Sequence, residues 1–154
     1  MSWELRRATL EDLDAVLALE RATFAEDAWS AESMRAELAS PHGYYLVADR
    51  PEADGEVDGY AGLLAPAGAE QGDVQTLAVA PEARRHGLGR ALLRALLQEA
   101  AIRGATEVFL EVRDDNPTAR ALYADEGFVR IGERPDYYPG GVTAVVMRRT
   151  LGAG

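Results

Sequence analysis

A six-residue run, Arg84-Arg85-His86-Gly87-Leu88-Gly89, gathers the groups in this chain best suited to holding an anion. It follows a short apolar strand over Leu77, Ala78 and Val79, ended by Pro81, and it opens a helix whose apolar positions recur at helical spacing from Leu88. At a helix N-terminus the first backbone N–H groups lack an intrahelical acceptor, and the dipole favours negative charge. Gly87 and Gly89 keep side chains out of the way and arginines flank the turn. The stretch therefore reads as a seat for a pyrophosphate, although the same glycines would also serve a plain tight turn with Arg84 and Arg85 solvated. Downstream stand a carboxylate, Glu111, on a strand between Leu110 and Val112, and a phenol, Tyr123, on the helix that follows. A strand end, a turn and one or two helical turns can bring the two to one cleft, as base and acid. Taken alone, they would equally be an outward strand residue and a piece of core.

Missing residue types remove several chemistries. There is no cysteine, hence no disulfide and no thiol nucleophile, and only His42 and His86 are available for a histidine-built metal site, so no metal is expected. All 16 basic residues are arginine, which excludes a Schiff-base lysine and a Walker-type lysine. A dinucleotide fingerprint needs three glycines after the first strand, and a P-loop needs Gly-Lys-Ser/Thr; neither is present. The net charge of −10 argues against direct binding of nucleic acid, and is compatible with a basic protein or a cationic small molecule as partner, or with solubility alone. The 154 residues, 47% apolar and 27% charged, fit a single domain over 1–154. No apolar run reaches the length of a membrane span and the first residues are charged, so a soluble, cytoplasmic protein without membrane contact is expected.

The elements that must position these residues follow from pattern. Trp3–Ala8 reads as a strand, Thr9 as the cap of a helix through Glu20, Phe24–Trp29 as a loop, and Ser30 as the cap of a short helix through Leu38. Strands are predicted over Tyr44–Ala48 and Val57–Leu64, separated by a charged turn over Asp49–Glu56. After a loop over Pro66–Gly72 come the strand near Val74–Val79, the glycine turn, and a helix from Leu88 to Arg103 ended by Gly104. Thr106–Val112 is a strand, and Asn116 with Pro117 starts a helix that stops at Gly127. Phe128–Gly132 is a strand, Pro135–Gly141 a tyrosine-containing turn, and Val142–Thr150 the last strand. The helical crossover between Val74–Val79 and Val108–Val112 favours a parallel pair. An α/β (α+β) fold follows, with a mixed sheet and helices on both faces.

The order Val79, Pro81, Arg84, Gly87, Gly89, Leu92, Leu93 resembles the donor site of the GNAT superfamily of N-acetyltransferases, whose pattern is Gln/Arg-x-x-Gly-x-Gly/Ala. The resemblance covers nearly the whole chain. It implies a mostly antiparallel sheet with one parallel central pair, and acetyl-CoA as co-substrate. Backbone amides from Arg85 through His86, Gly87, Leu88 and Gly89 to Arg90 would hold the pyrophosphate, with Leu77, Ala78 and Val79 hydrogen-bonding the pantetheine arm. Leu110-Glu111-Val112-Arg113, Asn116, Ala121-Leu122-Tyr123 and Gly127-Phe128 further resemble the ribosomal-protein-alanine N-acetyltransferases, the RimI-type subgroup. The resemblance implies Glu111 as proton acceptor, Tyr123 as proton donor and Asn116 as a contact to the CoA arm. With no cysteine, direct transfer is favoured over an acyl-enzyme.

On the acceptor side, Asp136-Tyr137-Tyr138-Pro139 resembles the tyrosine turn that borders the peptide site in that subgroup. Tyr137 and Tyr138 are candidates to grip a peptide N-terminus, and Phe24, Asp27 and Trp29 to form the opposite wall. Two features depart from the subgroup: a short hairpin at Gly140-Gly141-Val142, and Thr143-Ala144 where Asp-Ala is usual. The implied reaction acetylates the N-terminal alanine of small-subunit ribosomal protein eighteen, whose basic N-terminus would suit an acidic enzyme acting as a monomer or weak dimer. Two other readings are a GNAT enzyme acting on a small amine or antibiotic, and an acyl-CoA-binding sensor without turnover.

Overall fold

The computed structural model describes residues 2–25 and 28–152. Its elements run β1 (Glu4–Arg7), α1 (Leu13–Thr23), α2 (Ala31–Ala39), β2 (Gly43–Arg50), β3 (Glu56–Leu64), β4 (Gln71–Val79), α3 (Leu88–Ile102), β5 (Glu107–Arg113), α4 (Pro117–Asp125), β6 (Val129–Tyr138) and β7 (Val142–Thr150). Among the described residues the strands form one sheet in the order β1-β2-β3-β4-β5-β7-β6. All neighbours are antiparallel except β4 and β5, the mixed sheet that the pattern implied. No described helix is long and apolar enough to cross a membrane.

Helices lie on both faces, and the central strands are apolar on both sides for that reason. Successive strand residues point to opposite faces. At Gly59 a side chain would meet Leu92 and Leu88 of α3 at 3.2–3.3 Å, whereas the next residue, Tyr60, reaches Glu20 of α1 on the other face. Helix α3 buries Leu88, Leu92, Leu93, Leu96, Leu97 and Ala100 at 3.6-residue spacing. Each fully buried leucine stabilises by about 1.5–3 kcal/mol, so this stripe anchors the helix that the glycine turn begins. Ser30 Oγ accepts from the Ser33 N–H at 3.1 Å and Asn116 Oδ1 from the Ala119 N–H at 3.1 Å, so these two predicted caps are formed. The third, Thr9, instead precedes a single 3-10 turn over Leu10–Asp12, its N–H donating to Asp12 Oδ2 at 2.8 Å, and α1 begins only at Leu13.

Three boundaries differ from expectation. Strands β2 and β3 extend to Arg50 and back to Glu56, so the charged turn is shorter than Asp49–Glu56. Strand β4 begins at Gln71, within the expected loop, because Gln71–Asp73 pairs in parallel with Glu107–Phe109, and tertiary pairing overrides the weak strand preference of Gln-Gly-Asp. Strand β6 continues through the expected tyrosine turn to Tyr138. Pro135 lacks an N–H and Asp136 has φ +55°, so the ladder to β7 lapses after Arg134 and resumes at Tyr138↔Val142 as a bulge in an edge strand.

The parallel pair itself is shorter than predicted. Its ladder ends at Asp73↔Phe109. The β3 register shifts between Gly62 and Leu63, leaving Gln75 as an extra residue in β4. Strand β5 meanwhile stays paired with β7 from Glu107 to Arg113. Past Asp73 the two central strands therefore part, and a wedge opens between Gln75–Val79 and Leu110–Arg113.

Candidate active site

Two adjoining hollows fill that wedge. One, of about 390 Å³, is lined by Glu20, Phe24, Trp29, Thr76, Leu77, Glu111, Arg113, Asn116, Tyr123, Tyr137 and Tyr138, among others. The second, an open cleft of about 950 Å³, runs over Leu77, Ala78, Val79, Arg84, Arg85, Gly87, Leu88, Gly89, Arg90, Asn116 and Tyr123. Leu77, Asn116 and Tyr123 belong to both, so the glycine turn and the Glu111 chamber are two ends of one passage.

At the turn, Gly87 caps α3 with φ +79°, a conformation that costs a side chain but not glycine. The neighbouring Arg85 also has φ +68°. The first bond into the helix runs from the Ala91 N–H to Gly87 O at 3.0 Å. Helical geometry therefore leaves the N–H groups of Leu88, Gly89 and Arg90 without an intrahelical acceptor, at the positive end of the dipole. Side chains depart from the simple picture of a cationic clamp. Arg84 Nε donates to Val79 O at 3.1 Å, folding back over the strand end. Arg90 pairs with Asp125 at 2.7 Å and Glu126 at 2.9 Å, and so braces α3 against α4. The His86 ring packs against Trp3 at 5.6 Å between centroids. For His86 and Arg90, the main chain is what the turn offers to a ligand.

In the smaller chamber, alternation along β5 buries Val108, Leu110 and Val112 and leaves Glu111 on the wedge face. Glu111 Oε2 is buried with no hydrogen-bond partner among the described residues, while Oε1 stands 3.8 Å from Arg134. A buried carboxylate oxygen without a donor is costly, which marks it as a site for an incoming proton or cation. Its charge pushes the Tyr137 phenol up, with partial burial and a hydrogen bond from the phenol to Glu111 adding to the effect. Burial, and secondarily Glu111, also raises Asp73. Tyr123 is 7% exposed, and its ring meets Phe128 edge-on at 5.9 Å. Loss of solvent pushes its phenol up to about 12, so it keeps its proton throughout the neutral range. The tyrosine pair forms one wall, with ring centroids 5.0 Å apart. Arg134 lies over Tyr137 and Arg113 over Tyr138. Phe24 and Trp29 form the other wall; Asp27 lies outside the described residues.

Among the described residues, those predicted from sequence for donor, catalysis and acceptor thus line one passage, save His86. Several lining residues, Glu20 and Thr76 among them, were not foreseen. Glu20 reads as part of the apolar face of α1, yet its carboxylate is 2% exposed and borders the chamber. An acidic residue at helical spacing from buried Val16 and Leu17 is the signal that marks it.

A strand that parts from its parallel neighbour, with a glycine turn and helix N-terminus at the mouth, is the architecture of a known family of transferases. The model of the Acetyltransferase (GNAT) family matches residues 13–128, and the chain belongs to that family; it is an acetyltransferase. Within the family it is similar to N-alpha-acetyltransferase RimI of Mycobacterium tuberculosis, at 42% identity over 82% of this chain and 78% of that protein. It is 41% identical to the uncharacterized protein ML0378 of Mycobacterium leprae across 92% of its own length, and spans 39% of that protein. Among solved structures, the ribosomal-protein-S18-alanine N-acetyltransferase of Escherichia coli superposes with a TM-score of 0.88 at 27% identity, covering 99% of this chain and 96% of that one.

Proposed function

We propose that the chain transfers an acetyl group from acetyl-CoA to the α-amine of an N-terminal alanine, in the basic N-terminal segment of ribosomal protein S18. The observation that carries this reading is the unpartnered Glu111 oxygen in one chamber with Tyr123, at the inner end of a passage that begins at the glycine turn. The RimI relative and the Escherichia coli enzyme supply the acceptor class.

The donor side fits the co-substrate. Beyond Asp73 the β5-facing edge of β4 has no strand partner among the described residues, so its peptide groups are available to the amides of a pantetheine arm, as an added strand would be. The N–H groups of Leu88, Gly89 and Arg90, with exposed Arg85, suit the pyrophosphate. Asn116 borders both hollows while capping α4.

Acetyl-CoA supplies the thioester when bound. The acceptor enters as an ammonium, with an α-amine pKa of about 8, and must lose a proton before it can attack. Glu111 Oε2 is the group to take that proton, directly or through one water, while Oε1 faces Arg134 at 3.8 Å. Tyr123 Oη holds a proton in a dry site and gives it to the departing sulfur. The tyrosine pair and Trp29 narrow the chamber around the N-terminal residue. Incubation with acetyl-CoA and a peptide copying the S18 N-terminus is expected to add one acetyl at the α-amine, read by fragmentation mass spectrometry. Absence of that product across a panel of N-terminal residues, with turnover of small amines instead, would overturn the proposal.

A further inference from the structure

We infer that Glu20 is a positioning residue that fixes the Trp29 wall of the chamber against β4, and so sets how tightly the acceptor is held. The inference rests on the proposed reading of that chamber as the acceptor site. Burying a carboxylate on an apolar helix face is expensive unless donors surround it. Here the donors come from three separate elements. Tyr60 Oη of β3 bonds Oε1, Thr76 Oγ1 of β4 bonds Oε1 at 3.3 Å, and the Trp29 N–H, in the loop between α1 and α2, bonds Oε2 at 3.0 Å. Tyr60 and Thr76 are themselves joined at 3.1 Å.

The two bonds to Oε1 tie α1 to the sheet. The bond to Oε2 does something else, since Trp29 lies nine positions along the chain in a loop between helices. Its indole packs on Tyr45 with centroids 6.5 Å apart, and Tyr45 in turn lies so close over Gly62 that no side chain fits there. Glu20, Trp29 and Thr76 all line the chamber, and Thr76 adjoins Leu77 at the junction with the donor cleft. A single carboxylate thus ties Trp29, in the loop between α1 and α2, to the strand along which the donor would lie. Freed from it, Trp29 would no longer be held at one distance from Glu111.

Glu20→Gln tests this with little change of volume. Its amide oxygen can still accept from Tyr60 and Thr76, but its NH₂ group faces the Trp29 N–H as donor against donor. Losing a hydrogen bond to a charged acceptor should raise the peptide KM about tenfold, while CoA affinity by calorimetry stays within about twofold. In a Trp3→Phe background, Trp29 emission should shift to the red and its anisotropy fall. An unchanged peptide KM overturns the inference, as does a fall in CoA affinity parallel to that in peptide affinity, which would mean a purely structural role. If Glu20→Gln fails to fold, Glu20→Asp keeps the charge but draws it back from the Trp29 N–H and is read the same way, with a rise in peptide KM expected and no rise overturning the inference. Should the wild-type chain take a small amine and no peptide, the acceptor assignment falls, and the KM comparison is made with that amine.

Discussion

In the proposed reaction Glu111 and Tyr123 move one proton each, and their surroundings suit them differently. Glu111 keeps one oxygen clear of any partner among the described residues, so Glu111→Gln should lower kcat at neutral pH and recover part of it as pH rises through the amine pKa of about 8, where unassisted free amine accumulates. A pH–rate profile parallel to that of the wild type would remove Glu111 as base. Tyr123→Phe should lower kcat about 100-fold with little change in acetyl-CoA KM, within the range for a lost general acid. The same burial that keeps the phenol protonated ties stability to alkaline pH. The unfolded phenol ionises near 10.0 and the folded one at about 12. This contribution to stability is therefore fully present below pH 10 and is lost as pH rises from about 10 to about 12, because only the unfolded chain gains from ionising there. That difference corresponds to about 3 kcal/mol, and across this window the denaturant midpoint of the wild type should fall relative to that of Tyr123→Phe, which has nothing to ionise there.

At the scale of elements, the turn before α3 depends on backbone shape more than on its side chains. A side chain at Gly87 would have open space around it, yet φ is +79°. Gly87→Ala should thus cost about 1 kcal/mol of stability and weaken CoA binding by tilting the free N–H groups, as calorimetry would show; undiminished CoA affinity would remove this turn as the pyrophosphate seat. This element was legible in the sequence because glycine, arginine and the leucine period of α3 are local signals. The caps at Ser30 and Asn116 were legible for the same reason. What stayed hidden depends on partners distant in sequence. Nothing in Gln71-Gly72-Asp73 announces a strand until β5 lies beside it, and nothing in Val74–Val79 tells that its parallel ladder ends before it begins. Pro135 and Gly140 pointed to a turn, whereas pairing of Tyr138 with Val142 draws β6 on to Tyr138. The roles of Glu111 and Tyr123 were open from spacing alone, and only family resemblance suggested them. Glu20 was hidden by its apolar neighbours, since its three donors come from positions 29, 60 and 76.

For the molecule as a whole, the two proposed substrates make opposite electrostatic demands. A net charge of −10 repels a polyanionic donor at long range and attracts a basic peptide. The proposed donor would be served locally, by helix N–H groups and exposed Arg85, over distances at which salt screens little. The acceptor is served by the field of the whole surface, with Glu111 and Asp73 near the point where β4 and β5 part. The two substrates should therefore respond differently to ionic strength. Raising salt from about 0.01 M to about 0.15 M shortens the screening length from about 30 Å to about 8 Å. Over that range kcat/KM for an arginine-rich S18 peptide should fall several-fold. The same peptide with its arginines replaced by glutamine should start lower and stay nearly flat. Steady-state assays at saturating acetyl-CoA separate the two, because they hold the donor site full. Equal salt slopes for both peptides would mean that the acidic surface serves solubility alone, and that recognition of the acceptor ends at the chamber wall formed by Tyr137, Tyr138 and Trp29.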